Sequence, residues 1–175
     1  MLTEIRDLGP VLLVPAAWIA AAASIDGVLA SEGMLIAHGV MATFIAVFAV
    51  TGWTAMSDGA LRVWRLVLLV GLPITLAGVA GFFVSSAARP LFSVSLIGWM
   101  VLPAAGLACT AGHLPDARLR YLSTAALSAA GAAVAVSGLI LDARPTLFIG
   151  IAVAGVGQTI GIADASYRDR TSATA

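Results

Sequence analysis

Apolar residues fall in six long runs, separated by short stretches that hold the turn formers and almost every charge. A membrane-crossing helix needs about 20 mostly apolar residues. By that measure the runs predict spans at about 9–29, 34–56, 63–84, 91–111, 121–141 and 146–163. The connections, 30–33, 57–59, 85–90, 112–120 and 142–145, carry Gly33, Gly59, Pro90, Pro115 and Pro145, as hairpins between neighbouring helices require. The runs do not alternate polar with apolar, which excludes a transmembrane barrel. Backbone polar groups in a bilayer core must pair internally, so helices are the expected spanning element. The fold class predicted is therefore an all-α, polytopic integral membrane protein, one domain of six transmembrane helices over residues 1–175. A cleavable signal peptide is the competing reading of the first run, with Arg6 ahead of it and Ala21, Ala22 and Ala23 near its end.

Composition supports the membrane reading. Hydrophobic residues are 61% and charged residues 10% of the 175, against roughly half and about a quarter in a soluble domain. This excludes a soluble single-core domain and a disordered chain. Nine basic and nine acidic residues give no net charge and no reason to expect a nucleic-acid partner. All nine basic residues are arginine. Six spans would put Arg6, Arg62, Arg65, Arg118, Arg120, Arg168 and Arg170 on one side and Arg89 and Arg144 on the other. That bias predicts a cell-membrane protein with both termini cytoplasmic. The single Cys109 forms no intrachain disulfide.

Small residues at spacing four, such as Ala129 with Ala133 and Gly131 with Ala135, predict close helix packing and suit a homo-oligomer or a larger membrane complex in the bilayer. Pro15, Pro73 and Pro103 lie inside spans, where each kinks or opens a helix. Leu13-Val14-Pro15-Ala16-Ala17 echoes Val101-Leu102-Pro103-Ala104-Ala105, and Ala49-Val50-Thr51-Gly52-Trp53 echoes Ala135-Val136-Ser137-Gly138-Leu139. The pairs fall where a 3+3 inverted repeat would put them. Trp53 and Trp64 are expected near an interface, Trp18 and Trp99 at mid-span.

Ionisable side chains at membrane depth are candidates for function, because burying them is costly. His38, about one turn inside the second span, is the foremost. An imidazole there can ligate a metal, titrate near neutral pH or hydrogen-bond to a neighbouring helix. Gly39 beside it removes bulk where a flat macrocycle would lie. Asp26, Glu32, Arg89 and Arg144 either form an ion-paired vestibule on the outer side or mark helix ends in water. Gln158 and Thr159 in the last span, with Ser93 and Ser95 in the fourth, are expected to bond across helices. Asp164 is expected at the cytoplasmic interface, and His113 in a solvated turn beside Leu114-Pro115-Asp116. No nucleophile motif and no phosphate-binding glycine loop is present.

The run Ala37-His38-Gly39, with Phe44 six residues beyond the histidine and Gly52-Trp53 closing the same helix, resembles the haem-ligating second helix of haem-copper oxidase subunit I. It is also similar to the His-Gly helices of NnrS-type haem membrane proteins. The resemblance implies haem as cofactor and His38 as the axial metal ligand near the outer face, with Gly39, Met34 and Met41 beside it. Met41 lies one position earlier than the methionine usual in those families, and the proline and paired glycines of the oxidase helix are missing. No other span holds a histidine, so a haem-copper centre cannot be built, and a second ligand would be a methionine, water or His38 of another subunit. The leading expectation is a haem-binding redox or haem-handling membrane protein. The alternatives are a small solute transporter or channel component, with Pro15, Pro73 and Pro103 loosening helices around a polar path, and a subunit that packs against a larger complex.

Overall fold

The computed structural model of the chain describes the backbone over 2–173 and the side chains over 11–168. The described residues form six α-helices: α1 (Leu2–Ile25), α2 (Ser31–Thr51), α3 (Gly59–Gly81), α4 (Ala88–His113), α5 (Arg118–Ile140) and α6 (Arg144–Ala173). Single 3₁₀ turns, Ser85–Ala87 and Pro115–Ala117, lead into α4 and α5. Helices α2 to α6 are long and apolar enough to cross a membrane, and α1 adds a shorter apolar stretch, Val11–Ile25.

The helix ends differ from the sequence expectation for local reasons. The first span was expected to run to Leu29, but α1 stops at Ile25 because Gly27 turns the chain with φ +81°. The Gly27 and Val28 amides then donate to the Ser24 and Ala23 carbonyls, at 3.1 and 2.9 Å, in a Schellman ending. Asp142, at φ 51°, closes α5 in the same manner, with the Ala143 amide donating to the Gly138 carbonyl at 2.9 Å. Helix α2 ends at Thr51, so Trp53 lies in the following turn, where the Arg65 guanidinium sits 4.8 Å from its ring centre. Pro90 falls in the first turn of α4, where its missing N–H costs nothing. His113 closes α4 and does not lie in a turn; it is exposed, and its ring bonds the Cys109 carbonyl.

Each helix packs on its neighbours in chain order, and α6 returns against α1 to close the bundle. Helix α4, which also reaches α6, carries the fully buried Met100 and Leu107. The tightest seam joins α5 to α6. A Cβ at Gly131 would stand 2.7 Å from the Gly150 carbonyl oxygen, and one at Gly150 equally near the Gly131 oxygen. Only glycine lets these two backbones meet. Of the two small-residue pairs, Gly131 and Ala135 are buried in this seam, whereas Ala129 and Ala133 face outward. The halves α1–α3 and α4–α6 run through the bundle in opposite senses, as the expected repeat requires, but pack unequally. Helix α1 touches α2 lightly, whereas α4 and α5 are closely joined.

Arg62, Arg65, Arg118, Arg120 and Arg168 gather at one end of the bundle, Arg89 and Arg144 at the other. The side chains of Arg6 and Arg170 lie outside the described residues.

Candidate functional site

His38 lies on the second turn of α2, and its ring turns inward against α3. Its Nδ1 is 2.9 Å from the Met34 carbonyl oxygen. A carbonyl only accepts, so Nδ1 carries the proton, and in the neutral ring Nε2 keeps its lone pair. The Nε2 edge rests on Gly78, where a Cβ would overlap the ring. Ser95 Oγ, on α4, stands 2.7 Å from that same Cβ position. The Ser95 side chain is buried, and its Oγ and the imidazole both border the notch that Gly78 leaves. Phe82 meets the ring edge-on at 5.7 Å between centroids, and Phe92 packs on Phe82 at 4.8 Å. The site is a tight seam of α2, α3 and α4, aromatic on its outer side.

The other residues expected around a haem do not converge on it. Gly39 is exposed on the outward face of α2 with open space beside it, turned away from the His38 ring. Met34 contributes its carbonyl to His38, and Met41 is half-buried one turn further along α2. A macrocycle on Nε2 needs an open slab beside the imidazole, yet this edge meets the α3 backbone. The residues present do not fit a haem in this packing. No group of three or more His, Cys, Asp or Glu side chains suited to a metal occurs among the described residues.

Asp26, Glu32, Arg89 and Arg144 are all exposed at helix ends, and no ion pair joins them among the described residues. At the opposite end Asp164 is the anion shared by Arg120 of α5 and Arg168 of α6, the latter at 2.8 Å.

A second polar centre lies at mid-bundle, around the chain's single glutamine. Pro103 lacks an N–H, so the carbonyl of Trp99, four residues back, loses its helical partner. Gln158 of α6 supplies one: its amide nitrogen donates to the Trp99 oxygen at 2.9 Å, to the Met100 oxygen at 3.2 Å and to Ser128 Oγ at 2.9 Å. Its amide oxygen accepts from the Trp18 indole at 3.2 Å, and Ser128 donates to the Met100 carbonyl at 3.0 Å. The Trp99 indole donates to Thr75 at 2.9 Å, and Thr75 donates to the Gly71 carbonyl at 2.9 Å. A hydrogen-bonded belt therefore crosses α1, α6, α5, α4 and α3 within the apolar layer. No fully buried side-chain nitrogen or oxygen among the described residues lacks a partner.

Gln158 thus bonds across helices as expected, and the two mid-span tryptophans, of which only the depth was expected, bond across helices with it and with Thr75. Thr75, Ser128 and Gly78 were not anticipated. The proline rule alone points to the Trp99 carbonyl, but the partners on α3 and α5 depend on helix rotation. No family model matches the chain, and neither a curated protein nor a solved structure matches it.

Proposed function

We propose that the chain is a non-catalytic, membrane-embedded helical subunit that acts through its lipid-facing surface, as a packing member of a homo-oligomer or larger membrane complex. The observation that carries this reading is the belt around Gln158. The polar groups of the belt bond to one another and stitch five helices together, so among the described residues they serve the bundle's own cohesion and are not free to line a path for a solute. His38 is read likewise, as the residue that seats α2 against Gly78 and Ser95. The arginine asymmetry supports a cell-membrane orientation with both termini cytoplasmic and the His38 seam in the outer leaflet.

The test combines cross-linking in native membranes with visible spectra of the purified protein. The reading expects cross-linked species larger than the 17.7 kDa chain and no Soret band after expression with ample haem. A Soret band lost in His38→Ala would replace this reading with haem ligation. Solute uptake by proteoliposomes of the purified chain would replace it with transport.

A further inference from the structure

Two polar atoms beside Gly78 have no partner in the fold. The His38 Nδ1–H is taken by the Met34 carbonyl, and Nε2 bonds no described residue. The second atom is Ser95 Oγ. Serines and threonines inside these helices commonly turn back to the carbonyl four residues earlier, as Ser123, Ser137, Thr75 and Thr110 do. Ser95, only 5% exposed, does not, and its hydroxyl makes no hydrogen bond among the described residues. A Cβ at Gly78 would stand 2.4 Å from Nε2 and 2.7 Å from Ser95 Oγ, so the two atoms are at most about 5 Å apart, the sum of those distances. No fully buried side-chain nitrogen or oxygen among the described residues lacks a partner. Both atoms therefore keep some exposure, and a proton can reach them.

The elements packed around the ring offer it no anion. On α2 the nearest ionisable residue is Glu32, exposed in the first turn and six residues before His38. Helix α3 carries only Arg62 and Arg65, at its far end, and the turn after it has no ionisable residue. Helix α4 carries Arg89, exposed six residues before Ser95, with Cys109 and His113 at its other end. Asp26, beyond the end of α1, is exposed. A charged imidazole would have the Met34 carbonyl and the Ser95 hydroxyl as acceptors and no carboxylate, about 10 Å along α2 from its start. Burying an unpaired charge at that depth is costly, and the ring regains water only by leaving the seam. We infer that His38 is a proton-operated latch: neutral, it seats α2 on Gly78, and protonated at Nε2, it draws the first turns of α2 away from α3. This rests on the reading of His38 as the seat of α2, which the visible spectra test on their own.

Spin labels at Ile36→Cys on α2 and Phe83→Cys in the turn after α3, both exposed positions, report the separation of the two helices in the full chain carrying Cys109→Ala. Pulsed electron paramagnetic resonance is recorded at about pH 8 and about pH 5.5, across the range in which imidazole side chains change charge. With His38 present, the distance should lengthen by about 2 Å at the lower pH, the scale of a helix shift, and return when the pH is restored. His38→Gln should hold the pH 8 distance at both values. His113→Gln, at the chain's other histidine, should respond as the parent does. Where His38→Gln does not fold, Ser95→Asp sets a carboxylate at the notch and should keep the seam closed at about pH 5.5, within the same titration range. An unchanged distance with His38 present would overturn the proposal. So would a response that persists in His38→Gln or Ser95→Asp, or one that is lost in His113→Gln.

Discussion

Gln158 draws two of its four partners from neighbours that could not otherwise be buried in lipid: a carbonyl freed by proline and an indole N–H. Hydrogen bonds between membrane helices contribute about 0.6 kcal/mol on average, but a buried group left unpartnered costs about 1–3 kcal/mol. Gln158→Leu is therefore expected to lower stability by about 1–3 kcal/mol, measured by unfolding in detergent. In a Pro103→Ala background, where α4 can bond its own Trp99 carbonyl, the same change should cost less. A double-mutant cycle reads that coupling directly. Gly78→Ala drives a methyl into the His38 ring and is expected to destabilise by about 1–3 kcal/mol. His38→Ala, by removing the ring from that space, should recover part of the loss, since Ser95 Oγ still stands 2.7 Å from the new methyl. If Gly78→Ala were neutral, the tight seam between α2 and α3 would be refuted.

At the level of the helices, endings matter as much as faces. Asp142 holds a left-handed conformation that allows α5 to turn back into α6, and a β-branched side chain there is strained. Asp142→Val should cost about 1–2 kcal/mol, while Asp142→Gly should be tolerated, both read as shifts in the unfolding midpoint. The number and order of the helices were legible in the apolar runs, since the 20-residue length of a span is set by the bilayer. Their ends were less so. The sequence pattern extends the first span to Leu29 because Val28 and Leu29 are apolar, whereas the backbone at Gly27 decides the matter. His38 was legible as the histidine at membrane depth, but the direction of its ring was not. Helix rotation is fixed by packing against Gly78, a residue 40 positions away, and that rotation turns Gly39 away from the ring.

Across the whole molecule, the arginine distribution makes an orientation testable. In a Cys109→Ala background, Asp142→Cys should react with a membrane-impermeant maleimide on intact cells. Asp116→Cys should react only after permeabilisation. The reverse pattern would invert the proposed topology. The bond from Trp18 to Gln158 spans 140 positions of sequence, and this has a consequence for synthesis. A chain emerging from the ribosome inserts α1 first, but the partner of its indole is made only with α6. Until then the carbonyl opened by Pro103 also waits for the Gln158 amide. The bundle is completed by joining its first helix to its last, so a nascent or truncated chain lacking α6 presents two unmet polar groups inside the bilayer. Membrane quality control has a physical mark there by which to separate finished chains from unfinished ones.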